Sequence, residues 1–252
     1  MNNSEIRKDL RRNSPVMPGL IFLLVLGVGA CSSGPSSQSE TNANSAGPKV
    51  SNAPAGTPVT VKTKTETVPK SLADAGEYAE NIYDYAKAND WKKAGARIVL
   101  LKAAAEKVRT DVNNQKAAGE IYPNVEALDR AVTAKDRQAA MLTANQITRD
   151  VAKTTMDYKV TVPVEVVLLD YYGRELEIWA EAKDTSKLQT TAREMRKTWD
   201  AVRPSIEAKN PAVAKKFEAL VAQVETAKAP ADYAKVAKPV LDEVDNLEKV
   251  FE

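Results

Sequence analysis

From Ser71 to the C-terminus, apolar residues recur three and four positions apart against lysine and glutamate, the period of amphipathic helices. Helix start and stop signals divide this region into eight helices, near 71–88, 90–117, 123–134, 136–158, 163–182, 185–208, 211–227 and 230–251. Pro123, Pro163, Pro211 and Pro230 stand where a helix can begin, and Asn210-Pro211 reads as an N-cap followed by the first helical position. Ser71-Leu72-Ala73-Asp74 reads as a capping box with aspartate in place of glutamate. Pro204 and Pro239 fall inside helical patterns and are expected to kink or break them. The β-prone run Val160–Val164 reads as the lead-in to the helix after Pro163. Residues 32–58 carry no periodic pattern, and Thr60–Val68 alternates with polar or threonine partners, which fits an extended tether better than an edge strand.

The helical region repeats itself. Short corners recur as Ala88-Asn89-Asp90, Ala134-Lys135-Asp136 and Ala182-Lys183-Asp184, with a degraded fourth at Ala227–Asp232. Their aspartates are 46, 48 and 48 residues apart, and each can cap the free N–H groups of the helix that follows. A shift of 94 brings Tyr85 onto Trp179, Asp90 onto Asp184, Leu101 onto Met195 and Val112 onto Ile206; a shift of 93 brings Ile147 onto Val240 and Val151 onto Val244. The expected fold is all-α: duplicated antiparallel hairpins forming two four-helix bundles, residues 71–160 and 161–252, with a short α-solenoid as the alternative.

Upstream, Arg7, Lys8, Arg11 and Arg12 precede the apolar run Leu20–Leu26, too short to span a bilayer but suited to a signal-peptide core. The tetrapeptide Val28-Gly29-Ala30-Cys31 resembles the lipobox of bacterial lipoproteins, and Cys31 is the only cysteine of the chain. The resemblance covers residues 1–31 alone. It implies removal of residues 1–30, lipid on Cys31, and attachment to the cell membrane or outer membrane with the helical domain outside the cytoplasm. Ser32, next to the lipidated cysteine, implies outer-membrane sorting in a Gram-negative host. Residues 31–70 would then be a tether holding the domain on the order of 35 Å from the bilayer.

Composition narrows the chemistry. The chain has no histidine, which excludes His-ligated metals and Ser-His-Asp or Cys-His nucleophiles, and no cofactor is expected. The net charge of +2 resides in residues 1–30, with four basic and two acidic side chains, so the remainder is formally neutral and has no global pull on nucleic acid. With no histidine, no unperturbed side chain titrates between about pH 5.5 and 8. With Glu165 and Glu175 paired or hydrogen-bonded, stability is expected to be nearly flat from about pH 6 to 8; with Glu175 buried without a partner, it is expected to fall toward neutrality.

The least ordinary stretch is Val162–Glu175. At 100° per residue Asp170, Arg174, Glu177 and Glu181 gather on one face and read as a solvated, self-paired stripe. Glu165 and Glu175 fall on the opposite, apolar side, with Tyr171 and Tyr172 beside them. A carboxylate there must be paired, hydrogen-bonded or protonated. Glu165 can meet free N–H groups in its helix's first turn, and Glu175 can meet Arg193, Arg196 or Lys197 on the next helix. Glu165, Tyr171, Tyr172 and Glu175 are the ligand candidates; no catalytic or metal-binding set is expected. The three tryptophans and the remaining tyrosines read as core. The function expected is a non-catalytic, membrane-tethered helical binding or scaffold protein of the bacterial envelope, its partner another envelope protein or a small solute. The alternative is a solute- or cation-binding lipoprotein using residues 165–175.

Overall fold

The structure is a computed structural model that describes residues 67–112 and 115–252. The signal peptide, Cys31 and the tether as far as Glu66 lie outside the described residues. Eight helices follow one another: α1 (Lys70–Lys87), α2 (Trp91–Asp111), α3 (Gln115–Ala134), α4 (Arg137–Thr155), α5 (Val164–Ala182), α6 (Thr185–Lys209), α7 (Pro211–Thr226) and α8 (Pro230–Lys249). Among the described residues no strand forms, and the one β-bridge joins Thr67 to Lys159. Val68 is 3% exposed, so the packed region begins ahead of residue 70, in what the sequence pattern suggested was tether.

The corners show why the aspartates recur. Asn89, Lys135 and Lys183 each adopt a left-handed backbone with φ of 56°, 54° and 58°. The N–H of the next residue donates five residues back, Asp90 to Tyr85 O, Asp136 to Ala131 O and Asp184 to Trp179 O, which closes the finished helix. The side chain of the same aspartate accepts from Lys93, Ala139 or Lys187 N and caps the helix that starts. One residue thus serves both ends. At the fourth corner Asp232 instead accepts from the Ala229 N–H at 3.2 Å.

Each set of four helices closes on itself. α1 packs on α2 and α4, and α3 packs on α2 and α4; likewise α5 packs on α6 and α8, and α7 on α6 and α8. A solenoid would stack hairpin on hairpin and leave the first and fourth helices apart, so the contacts are those of two four-helix bundles. The bundles are joined by packing of α4 on α5. Buried apolar residues form two clusters accordingly, one running from Val68 to Tyr158 and taking in Ile178, the other from Val166 to Leu247. Trp179 packs against both.

Three local expectations change. Helix α2 ends at Asp111, and α3 starts at Gln115 and runs through Pro123 instead of beginning there. Pro204 and Pro239 lie within α6 and α8, where the pattern placed them, and neither helix is broken there. All three prolines are exposed, as are Gly119, Asp200 and Lys235 four residues before them, so the carbonyls they leave unbonded can be hydrated. The capping box at Ser71 does not form. Pro69 takes the N-cap position, Ser71 Oγ donates to Asp111 Oδ2 at 2.8 Å, and Asp74 pairs with Lys70.

Candidate functional site

Helix α5 carries two polar constellations on different faces. The first contains three of the four ligand candidates. Glu175 Oε1 accepts from Tyr171 Oη at 2.7 Å, and its Oε2 accepts from the buried Thr191 Oγ1 of α6 at 2.9 Å. Tyr172 meets Tyr171 edge-on, with centroids 5.1 Å apart. The Arg149 guanidinium of α4 lies 5.7 Å from the Tyr171 ring centroid. Burial and the neighbouring carboxylate hold the Tyr171 phenol well above its ordinary range, so it stays protonated and donates to Glu175. Beside this group the fully buried Asn145 donates from Nδ2 to Tyr171 O at 3.0 Å, while its Oδ1 has no hydrogen-bond partner.

Glu175 therefore rests on two hydroxyls, not on the cations expected from α6. Those cations are engaged elsewhere: Arg196 with Asp200, Glu218 and Glu225, Lys197 with Glu194, and Arg193 with Thr190 Oγ1. Glu165 stands in the first turn of α5, about 15 Å along the helix from Glu175, and does not join the group.

The second constellation was not foreseen. The face holding Asp170, Arg174, Glu177 and Glu181 is not a solvated stripe, because α1 and the end of α8 lie against it. Arg174 is 4% exposed. Its Nη2 is 2.7 Å from Asp170 Oδ2 and 3.7 Å from Glu80 Oε2 of α1, and its guanidinium lies 5.2 Å from the Tyr83 ring centroid. Its Nη1 is buried with no hydrogen-bond partner. Tyr83 Oη donates to Glu177 Oε2 at 2.9 Å, and Lys87 Nζ donates to the same oxygen. Glu181 is exposed and pairs with Arg137 of α4.

Glu248 of α8 completes this group. Desolvation, helped by the negative charges of Asp170, Glu80 and Asp245 and opposed by Arg174, pushes its carboxyl up to about 8. The lack of histidine gives no sign of such a group, a carboxyl held far above the ordinary carboxylate range. The repeat held the signal that could have found this cluster. A shift of 94 carries Glu80 onto Arg174 and Tyr83 onto Glu177, the very pairs that touch. Equivalent positions that meet and carry complementary chemistry mark a two-fold-like contact between the halves.

Elsewhere each bundle buries one carboxylate on its fourth helix. Asp150 accepts from Asn124 Nδ2 at 2.7 Å and Gln146 Nε2 at 2.9 Å, and Glu243 is held by Asn246 Nδ2 and Lys216 Nζ. Glu243 and Lys216 also line a shallow groove of about 340 Å³ between α7 and α8, together with Leu220 and Pro239. Among the described residues no three carboxylates or cysteines are arranged to hold a metal ion, and no helix is long and apolar enough to cross a membrane. No protein-family model, characterised protein or solved structure matches this chain.

Proposed function

We propose that the chain is a non-catalytic, membrane-tethered binding or scaffold lipoprotein of the bacterial envelope, held by lipid on Cys31 and presenting its two bundles outside the cytoplasm. The observation that carries the binding role is on α2. Val99 is 64% exposed and Leu100 46%, whereas the equivalent positions of α6 hold Arg193 and Glu194. Two halves built on one pattern thus differ in what they turn outward, and the apolar version is a docking face. The buried polar groups support the same reading, because they tie helix to helix: Arg174 joins α5 to α1, and Glu175 joins α5 to α6. The lipobox-like Val28–Cys31 supports the anchor.

Two measurements test it. Wild type is expected to incorporate labelled palmitate and partition with membranes into detergent, and Cys31→Ser to do neither; normal cleavage and unchanged membrane association in the mutant would rule out the anchor. A photo-crosslinking residue at Val99 is expected to trap a protein neighbour in intact cells, and Val99→Glu/Leu100→Glu to remove that adduct from a crosslinker placed at Ala96. A second reading, binding of a small solute at Tyr171, Tyr172 and Glu175, draws on the unpartnered Asn145 Oδ1 beside them. Native mass spectrometry of protein purified from its host distinguishes the two by whether a small molecule is retained.

A further inference from the structure

We propose that the partner docked on α2 is a second copy of this chain, paired antiparallel about a two-fold axis at Val99. The proposal rests on the reading of α2 as a binding face and names its occupant.

The exposed side of α2 repeats with a four-then-three spacing: Lys92, Ala96, Val99, Ala103, Glu106 and Thr110. This is the seam spacing of paired helices. Its middle is narrow, since Gly95, Ala96 and Ala103 flank Val99, and a Cβ built on Gly95 would meet nothing within 4 Å. Small residues there let a second helix approach closely. The charges then select orientation and register. In an antiparallel pair centred on Val99, residues equally far on either side of it oppose each other. Lys92 and Glu106 are both seven residues away, so each Lys92 faces the other copy's Glu106, twice by symmetry. Gly95 faces Ala103 and Val99 faces itself. A parallel pair would set Lys92 against Lys92 and Glu106 against Glu106, which repels at both ends.

Glu106 is 57% exposed; within the chain it is hydrogen-bonded by Tyr122 and lies 3.8 Å from Arg109, both at the surface, and a Lys92 of a second copy would compete with these exposed contacts. The duplicate helix keeps the acid, Asp200 for Glu106, but lacks the rest of this device. In α6 the equivalent residues are Ser186 for Lys92, Gln189 for Gly95, Arg193 for Val99 and Lys197 for Ala103. Two such faces would bring Arg193 onto Arg193. The self-complementary surface is therefore specific to the first half.

One helix pair buries less than the roughly 800 Å² per partner of stable complexes, so the pair is weak in dilute solution. Confinement of anchored copies to one membrane raises their effective concentration and favours it there.

The test is disulfide trapping of the full chain in its own membranes under mild oxidation, with wild type as the control for Cys31. Val99→Cys is expected to give a covalent dimer of this chain, and Thr110→Cys, eleven residues from the axis, at least tenfold less. Lys92→Glu in the Val99→Cys background is expected to cut trapping severalfold. Adding Glu106→Lys restores it, because the exchanged charges again face each other. Equal trapping at Val99 and Thr110 would mean a parallel or random encounter and overturns the proposal, as does failure of the charge exchange to rescue. If Val99→Cys gives no dimer while a crosslinker at Val99 captures a different protein, α2 is a docking face but its occupant is not this chain. If neither a dimer nor any other adduct forms at Val99, the docking face itself is refuted along with this proposal.

Discussion

The two bundles are the same helical plan filled in two ways. Helices α1 and α5 start 94 residues apart, as do α2 and α6, while α3 and α7 start 96 apart and α4 and α8 start 93 apart. Buried positions follow that register: Leu72 with Val166, Ala75 with Leu169, Ala79 with Gly173 and Ile82 with Leu176. Even surface pairs persist, with Lys102–Asp129 in the first bundle matched by Arg196–Glu225 in the second. Where chemistry changes, the slot remains. Arg109 lies 5.0 Å from the Tyr122 ring centroid, and its equivalent Arg203 is 3.3 Å from Glu218, the residue that replaces Tyr122. An aromatic face and a carboxylate both attract a guanidinium, so one arginine position accepts either. The comparison shows that register and burial are held more tightly than side-chain identity. Buried size and outward polarity are where the halves diverge.

Core size gives the sharpest contrast. In α2 the buried Ala105 holds the position that Trp199 fills in α6. Trp199 is fully buried, lies 4.8 Å from the Phe217 ring and donates from Nε1 to Glu218 at 2.6 Å. Trp199→Ala is expected to cost about 3–5 kcal/mol of stability, since it opens a cavity and removes a donor from Glu218. Ala105→Leu, in a slot already closed around a methyl group, is expected to cost about 1–3 kcal/mol by overpacking. Denaturant melts of both variants measure this, and equal losses would break the claim that the halves differ in core size at that slot.

The joint between the bundles gives the next contrast, between buried and exposed ion pairs. Arg174 is buried against Asp170 and Glu80, whereas Glu181 leaves the Arg137 pair largely in water. Arg174→Met strands carboxylates in a desolvated site and is expected to cost about 3–4 kcal/mol, against less than about 1 kcal/mol for Arg137→Ala. Adding Asp170→Leu to Arg174→Met should recover part of the loss. No recovery in that double variant would mean that the arginine acts through its packing on Tyr83 alone.

Much of this architecture was legible because it is local. A left-handed corner followed by a capping aspartate leaves a signature within three residues, so the corners at Asp90, Asp136 and Asp184 located three of the turns and the duplication. The tripeptide Thr67-Val68-Pro69 recurs as Thr161-Val162-Pro163 at the same shift of 94, with each proline at an N-cap, yet tether-like composition around its first copy hides it. The burial of Arg174 was not legible. A helical wheel shows which residues share a face, and only the packing of α1 and α8 decides whether water reaches it. The candidates on the apolar face fared differently for the same reason: Tyr171, Tyr172 and Glu175 converge because they lie within five residues on one helix, and Glu165 is too far along the axis to join them. Glu248 is 168 residues from Glu80, and nothing in its own surroundings marks its carboxyl as unusual.

The smallest expected effect concerns pH and sets Glu248 at the joint against Glu218 in the second bundle. Arg196, the Trp199 N–H and Arg203 hold the Glu218 carboxyl down at about 2. Its folded value is below the ordinary unfolded value near 4.3, so its contribution is present above that value and lost as pH falls toward 2. Glu248 has the opposite sign. Its folded value near 8 lies above the unfolded one, so the folded chain binds the extra proton between about pH 4.3 and 8. That contribution is complete below about pH 4.3, is lost progressively as pH rises toward 8, and is gone above it, where Glu248 is ionised beside Asp170, Glu80 and Asp245. Tm is therefore expected to be highest near pH 5, to fall as pH rises toward 8 and level off above it, and to fall again below pH 4. Glu248→Gln should flatten the alkaline limb and leave the acid limb, whereas Glu218→Gln should shrink the acid limb alone. Thermal melts of wild type and both variants from pH 3 to 9 separate the two groups, and an alkaline limb that survives Glu248→Gln unchanged would show that the joint between the bundles is not what titrates.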